Sequence, residues 1–180
     1  MTDAIGLRSH HLLQLIESES LQKLDWEAIF FWLESVVDLS FKRVSSWKPS
    51  EEENEPFVAH LFGMDVLGKE SLLVMARKLT HSKSAYNMLG MLHSILTNLC
   101  DSPQAQRYVP DNFLEMVEEI IGFAKGATSS ETWNDIIIPE KLEQLKNSLE
   151  RCKPLVSAAR AEKASVHDPL YLSQRYARLA

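Results

Sequence analysis

The sequence of 180 residues contains only two cysteines, Cys100 and Cys152, and no long apolar run. Two cysteines are too few for a disulfide framework, which favours a reducing compartment. The longest apolar stretch, residues 28–33, is far too short to span a bilayer. The N-terminus has no positive region followed by an apolar one, so we expect no secretory signal. We therefore expect a cytoplasmic or nuclear protein that has no membrane partner.

Basic residues are fewer than acidic ones: the sequence has 19 Lys and Arg and 25 Asp and Glu, which give a formal net charge of −6. A negative balance disfavours generic attraction to nucleic acid or to an anionic membrane. The balance reverses near the C-terminus, where Glu162 and Asp168 are outnumbered by five basic residues: Lys153, Arg160, Lys163, Arg175 and Arg178. We interpret this segment as a solvated helix surface, and a nucleic-acid-binding adaptor that uses it is one alternative function.

No known catalytic or metal-binding motif is complete. Residues 63–69 follow the spacing of a P-loop, but Glu70 stands where that loop needs a hydroxyl on Mg²⁺. His167-Asp168 is similar to the pair of all-helical metal phosphohydrolases, yet no later aspartate follows it. The Glu-x-x-His, His-Glu-x-x-His, Cys-x-x-Cys and Gly-x-Ser-x-Gly patterns do not occur. We therefore expect no catalytic residue, metal ligand or cofactor, and an enzyme whose site is assembled from scattered residues is the other alternative.

The remaining candidate residues for chemistry fit structural roles. His60, His81 and His93 are isolated in the sequence, which favours surface positions or core positions with a satisfied hydrogen bond. Cys100 lies on the apolar side of its helical pattern, so we expect a small core residue rather than a nucleophile.

Apolar residues recur at helical spacing along nearly the whole chain, and no segment alternates as a half-buried strand does. This pattern predicts a single all-α domain over residues 1–180. Its segments are a helical pair at 1–44, an acidic loop at 45–56, helices at 57–126 and C-terminal helices at 127–180. The loop at 45–56 has two prolines and four glutamates, so little of it can be buried.

Three helices in the middle of the chain have clear boundaries: residues 69–79, 84–100 and 112–125. Leu96 lies in the middle of the longest apolar stripe and should be fully buried. Gly126 suits a helix end, Pro139 suits the first turn of the next helix, and Pro154 should break or restart that helix.

Residues 84–126 resemble an armadillo/HEAT-like helical repeat. The long helix SAYNMLGMLHSILTNLC ends in Asn98-Leu99-Cys100, the short helix DSPQAQRYV contains Gln106 and Arg107, and PDNFLEMVEEIIGFAK forms the last helix. The chain departs from the family at Pro110-Asp111, which replace a glycine. The resemblance implies an irregular armadillo-like right-handed superhelix, because such units bury their faces only by stacking. An irregular multi-helix bundle would produce the same periodicity, so both architectures stay open.

These features together predict a non-catalytic protein–protein interaction module, a scaffold or adaptor. In armadillo proteins the last helix of each unit lines the concave surface, so the resemblance implies that four residues face a partner: Asn112, Glu115, Glu118 and Glu119. Neighbouring carboxylates attract cations, so the partner segment should carry Lys or Arg. The plain alternative is the solvated face of an amphipathic helix.

Overall fold

The computed structural model describes residues 71–109 and 111–166, and within these ranges the chain is helical and contains no strand. The helices are α1 (Ser71–Lys78), α2 (Ser82–Cys100), α3 (Pro103–Tyr108), α4 (Asp111–Gly126) and α5 (Ile138–Val166). The all-α prediction is confirmed for this part of the chain. The helical pair at 1–44, the acidic loop at 45–56, the P-loop-like stretch at 63–69 and His167-Asp168 lie outside the described residues.

Helix α2 is the centre of the core. Leu96 is fully buried, as its place in the apolar stripe predicts, and so are Met88, Leu89 and Leu92. Helix α5 packs most extensively on α2 and also contacts α3 and α4, while α1 packs against α4. Burying a leucine or methionine side chain in this way is worth about 1.5–3 kcal/mol. The apolar stripes that the sequence places on one face of each helix therefore meet in a single core.

The corner between α2 and α3 is closed by polar groups. The Asp101 amide donates to the carbonyls of Thr97 and Asn98, each at 3.2 Å. Ser102 caps α3, since its hydroxyl oxygen accepts from the Ala105 amide at 3.4 Å and Pro103 occupies the first helical position. Gln106 is buried, and its side-chain nitrogen Nε2 donates to the carbonyl oxygens of Leu99 at 3.0 Å and of Cys100 at 2.9 Å. The bonds from Asp101 and Gln106 pair carbonyls of the last turn of α2, which have no partner within the helix.

The expectation that Pro154 breaks the last helix is wrong, because α5 continues through it as one helix of 29 residues. An interior proline costs about 3 kcal/mol through a lost hydrogen bond and a clash with the preceding turn. Here the buried face continues on both sides of the proline, through Leu149, Cys152 and Val156. Pro154 itself is exposed to solvent, so its ring does not interrupt the packing of the buried face. Packing on both flanks offsets the local preference.

The connection between α4 and α5, residues 127–137, is non-helical, and part of it is packed. Trp133 is buried and its ring meets Phe123 edge-on, with centroids 5.7 Å apart. Thr132 is buried beside it. Ile136 is 91% exposed in a turn, and Ile138 begins α5.

Candidate functional site

The acidic face of α4 consists of Asn112, Glu115, Glu118 and Glu119, and all four side chains are exposed. Spacings of three and four residues place them on one side of the helix. The opposite side carries Phe113, Val117 and Ile120, which are fully buried. The four residues predicted from the sequence therefore do share one solvent-facing surface, held by a helix whose other side is fixed in the core.

One cation of the chain itself lies on the acidic face. The Lys153 ammonium nitrogen in α5 is 2.7 Å from the Glu118 carboxylate oxygen Oε2, and both side chains are substantially exposed. An exposed pair of this kind stabilises the fold by no more than about 1 kcal/mol. The position of this ion pair is more informative than its energy. The pair places α5 beside the acidic face, and an ammonium group lies against a carboxylate of that face.

Arg160, a second basic residue of the C-terminal segment, also contacts the chain, as do two neighbouring arginines. The Arg160 guanidinium in α5 donates to the Val109 carbonyl, just after α3. Arg107 in α3 lies 3.5 Å from Glu162, and Arg151 lies 3.3 Å from Asp101. These groups join α5 to α3 and to the end of α2. The ion pairs of Arg151 and Lys153 stay substantially exposed, in line with the solvated helix surface expected from the sequence. Arg175 and Arg178 lie outside the described residues.

A histidine–serine pair joins α2 to α5. His93 Nδ1 is 2.9 Å from the Ser148 hydroxyl oxygen, and burial, followed by the charge of Lys141, lowers the pKa of His93 below its usual 6.5. The imidazole is therefore neutral at pH 7, and either it or the hydroxyl donates. Acyl transfer from such a pair would also need donors for an oxyanion. Ser148 lies inside α5, where backbone amides already donate to the preceding turn. The geometry is that of an interhelical hydrogen bond, consistent with the satisfied histidine that the sequence predicts.

The two cysteines lie next to each other in the same seam between α2 and α5. Both are free and buried, and the Cys100 thiol points to the Ser148 carbonyl oxygen at 4.0 Å. Burial and the neighbouring Cys100 raise the pKa of Cys152 to about 12, against a smaller lowering effect of Arg151. Cys100 is a core residue, as its place on the apolar side predicts. Sequence reasoning missed the pairing of the two cysteines, because they are far apart in the chain and no local signal joins them.

The described residues contain neither a metal-binding cluster nor a membrane-spanning helix. No group of three or more His, Cys, Asp or Glu residues in this part of the chain is arranged to hold a metal ion. Within the same residues, no helix combines the length and the apolar character that crossing a membrane requires.

Comparisons with known proteins give no family for this chain. It matches no protein-family model, and neither the curated proteins nor the solved structures provide a significant match.

Proposed function

We propose that this chain is a non-catalytic protein–protein interaction module, a scaffold or adaptor of the cytoplasm or nucleus, and that α2, α3 and α4 act as one armadillo-like unit. Three features support the proposal. The helices follow one another in the order long, short, long. Gln106 fixes the corner between α2 and α3 through two backbone carbonyls. Helix α4, the last of the three, turns its polar residues to solvent.

The observation that carries the proposal is the acidic face of α4. Three carboxylates within two turns repel one another, and a partner that brings positive charge would relieve this repulsion. Lys153 already does so for Glu118 at 2.7 Å. Glu115 and Glu119 flank that pair on the same exposed side of the helix. The partner segment should therefore present Lys or Arg side chains, and the net charge of −6 would favour its approach at low salt.

Charge reversal on this face tests the proposal. Glu115→Lys combined with Glu119→Lys should leave the melting temperature nearly unchanged, because exposed substitutions usually stay within about ±0.5 kcal/mol. The matched control is Glu131→Lys with Glu143→Lys, two exposed residues outside the face whose reversal changes the net charge equally. Affinity purification with quantitative mass spectrometry should find a principal partner with the wild type and the control, and lose it with the face variant.

A binding assay with synthetic peptides separates charge complementarity from general loss of binding. Segments of the purified partner that contain Lys or Arg should bind the wild type with an affinity that falls as salt rises. The same segments with Lys and Arg replaced by Gln should bind weakly. If a well-folded face variant retains the partner, the acidic face is not the binding surface. If the control variant loses the partner to the same extent, the net charge of the protein, rather than the acidic face, determines binding.

A further inference from the structure

Cys100 and Cys152 come from different helices and are held side by side. Cys100 is the last residue of α2, and its thiol points to the Ser148 carbonyl at 4.0 Å. In an α-helix the carbonyl of residue 148 accepts the amide of residue 152, so this oxygen lies one turn from Cys152. Cys100 is also close enough to Cys152 to contribute to raising its pKa. The two thiols therefore lie on the same short stretch of the seam between α2 and α5.

An exposed ion pair beside the two thiols joins the end of α2 to α5, and a second joins α5 to α4. Asp101, which follows Cys100, lies 3.3 Å from Arg151, which precedes Cys152. Lys153, which follows Cys152, is paired with Glu118 at 2.7 Å. Cys100 keeps 8% of its surface exposed, whereas Cys152 is fully buried. Cys100 is therefore the less buried of the two cysteines, and we expect a small oxidant to react there before it reaches Cys152.

We propose that Cys100 and Cys152 form a reversible intramolecular disulfide when the protein meets a hydroperoxide, and that this bond links the end of α2 to α5. The Cys100 thiolate attacks the terminal peroxide oxygen and the O–O bond breaks. The alkoxide, or hydroxide from hydrogen peroxide, leaves and takes up a proton, and Cys100 becomes a sulfenic acid.

The second step closes the bridge. Cys152 loses its proton and attacks the Cys100 sulfur, the S–S bond forms, and hydroxide leaves and is protonated to water. Two thiols and one hydroperoxide thus give one disulfide, one alcohol or water, and one further water. The sulfur atoms are oxidised and the peroxide oxygens are reduced. Excess small-molecule dithiol reverses the bond by thiol–disulfide exchange.

The raised pKa of Cys152 limits the rate at which the disulfide forms. A pKa of about 12 leaves little of its thiolate at neutral pH, so bridge formation should become faster as the pH rises. Under reducing conditions both thiols persist as ordinary core groups.

The full chain contains only these two cysteines, so thiol counting is unambiguous. The native protein is treated with hydrogen peroxide, denatured and alkylated with iodoacetamide. Its intact mass is then measured by mass spectrometry. The wild type should become a monomer that has lost two hydrogen atoms and takes up no carbamidomethyl group. Treatment with dithiothreitol before alkylation should reduce the disulfide, so that both cysteines take up a carbamidomethyl group. Cys152→Ser should give a Cys100 sulfenic acid that dimedone traps, and Cys100→Ser should keep an alkylatable Cys152.

Cys152→Ala serves as a second variant in case a buried hydroxyl impairs folding, and circular dichroism checks each variant. Three wild-type results would each overturn the proposal. The first is that both cysteines are still alkylated after peroxide. The second is that Cys100 carries sulfinic acid as the main product while Cys152 stays free. The third is that disulfides form only between chains, as seen on a non-reducing gel.

Discussion

Replacing Gln106 by Met tests the corner between α2 and α3. Methionine keeps a similar length and volume but donates no hydrogen bond, so the substitution removes both bonds from the side-chain amide to the Leu99 and Cys100 carbonyls. The Leu99 carbonyl also accepts from the Ser102 amide at 3.3 Å and keeps that partner. The Cys100 carbonyl belongs to the last residue of α2 and has no partner within the helix.

The cost should therefore be that of one buried acceptor left without its donor, about 1–3 kcal/mol. Gln144→Met in α5 is the matched control, since its side chain is only partly buried and bonds to the side chains of Lys141 and Glu140 rather than to backbone carbonyls. That change should cost less than about 0.5 kcal/mol because water replaces the lost partners. Urea unfolding followed by circular dichroism gives both values. Equal losses in the two variants would show that the Gln106 bonds do not hold the corner.

Three further predictions concern the core, a titrating group and the acidic face. Leu96→Ala should destabilise the protein by about 2–5 kcal/mol through lost burial and a cavity, whereas Leu155→Ala, at a side chain 37% exposed, should cost much less; similar losses in urea would contradict the assigned core. Because the pKa of His93 is lowered in the folded protein, its contribution to stability is present above the unfolded value of 6.5 and is lost as the pH falls below it. His93→Gln should weaken this acid sensitivity, and an unchanged slope of stability against pH would refute the assignment. Lys153→Met should free Glu118 and strengthen binding of a basic partner peptide in an anisotropy titration, in the opposite direction to charge reversal; unchanged affinity would remove Glu118 from the binding surface.

Helix positions in the middle of the chain could be predicted because the signals are local. The apolar stripe that contains Leu96 has a period of 3.6 residues, and this period fixes both the helix and its buried side. The same period places Glu115 and Glu119 opposite Val117 on α4, so the exposed face follows from the sequence alone. Gly126 and Pro139 mark boundaries because their backbone preferences act at a single residue. That a partner binds the exposed face is still a prediction.

Contacts between distant residues could not be predicted. His93 and Ser148 are 55 residues apart, and Lys153 and Glu118 are 35 apart, so their pairing depends on how α5 lies against α2 and α4. Pro154 fails as a helix breaker for the same reason, since the packing on its two flanks is a tertiary effect that outweighs a local one. The pair of thiols had no signal in the sequence beyond the presence of two cysteines.

Site-specific photocrosslinking tests the central claim most directly. A photoreactive amino acid replaces Glu115 on the acidic face or, as a control, Glu143 on the exposed side of α5. After irradiation in cells, the account predicts a covalent adduct from position 115 with a partner protein, mapped by mass spectrometry to a segment rich in Lys or Arg. Position 143 should give no such adduct. The absence of an adduct at 115, or the same adducts from both positions, would contradict the assignment of this face as the binding surface.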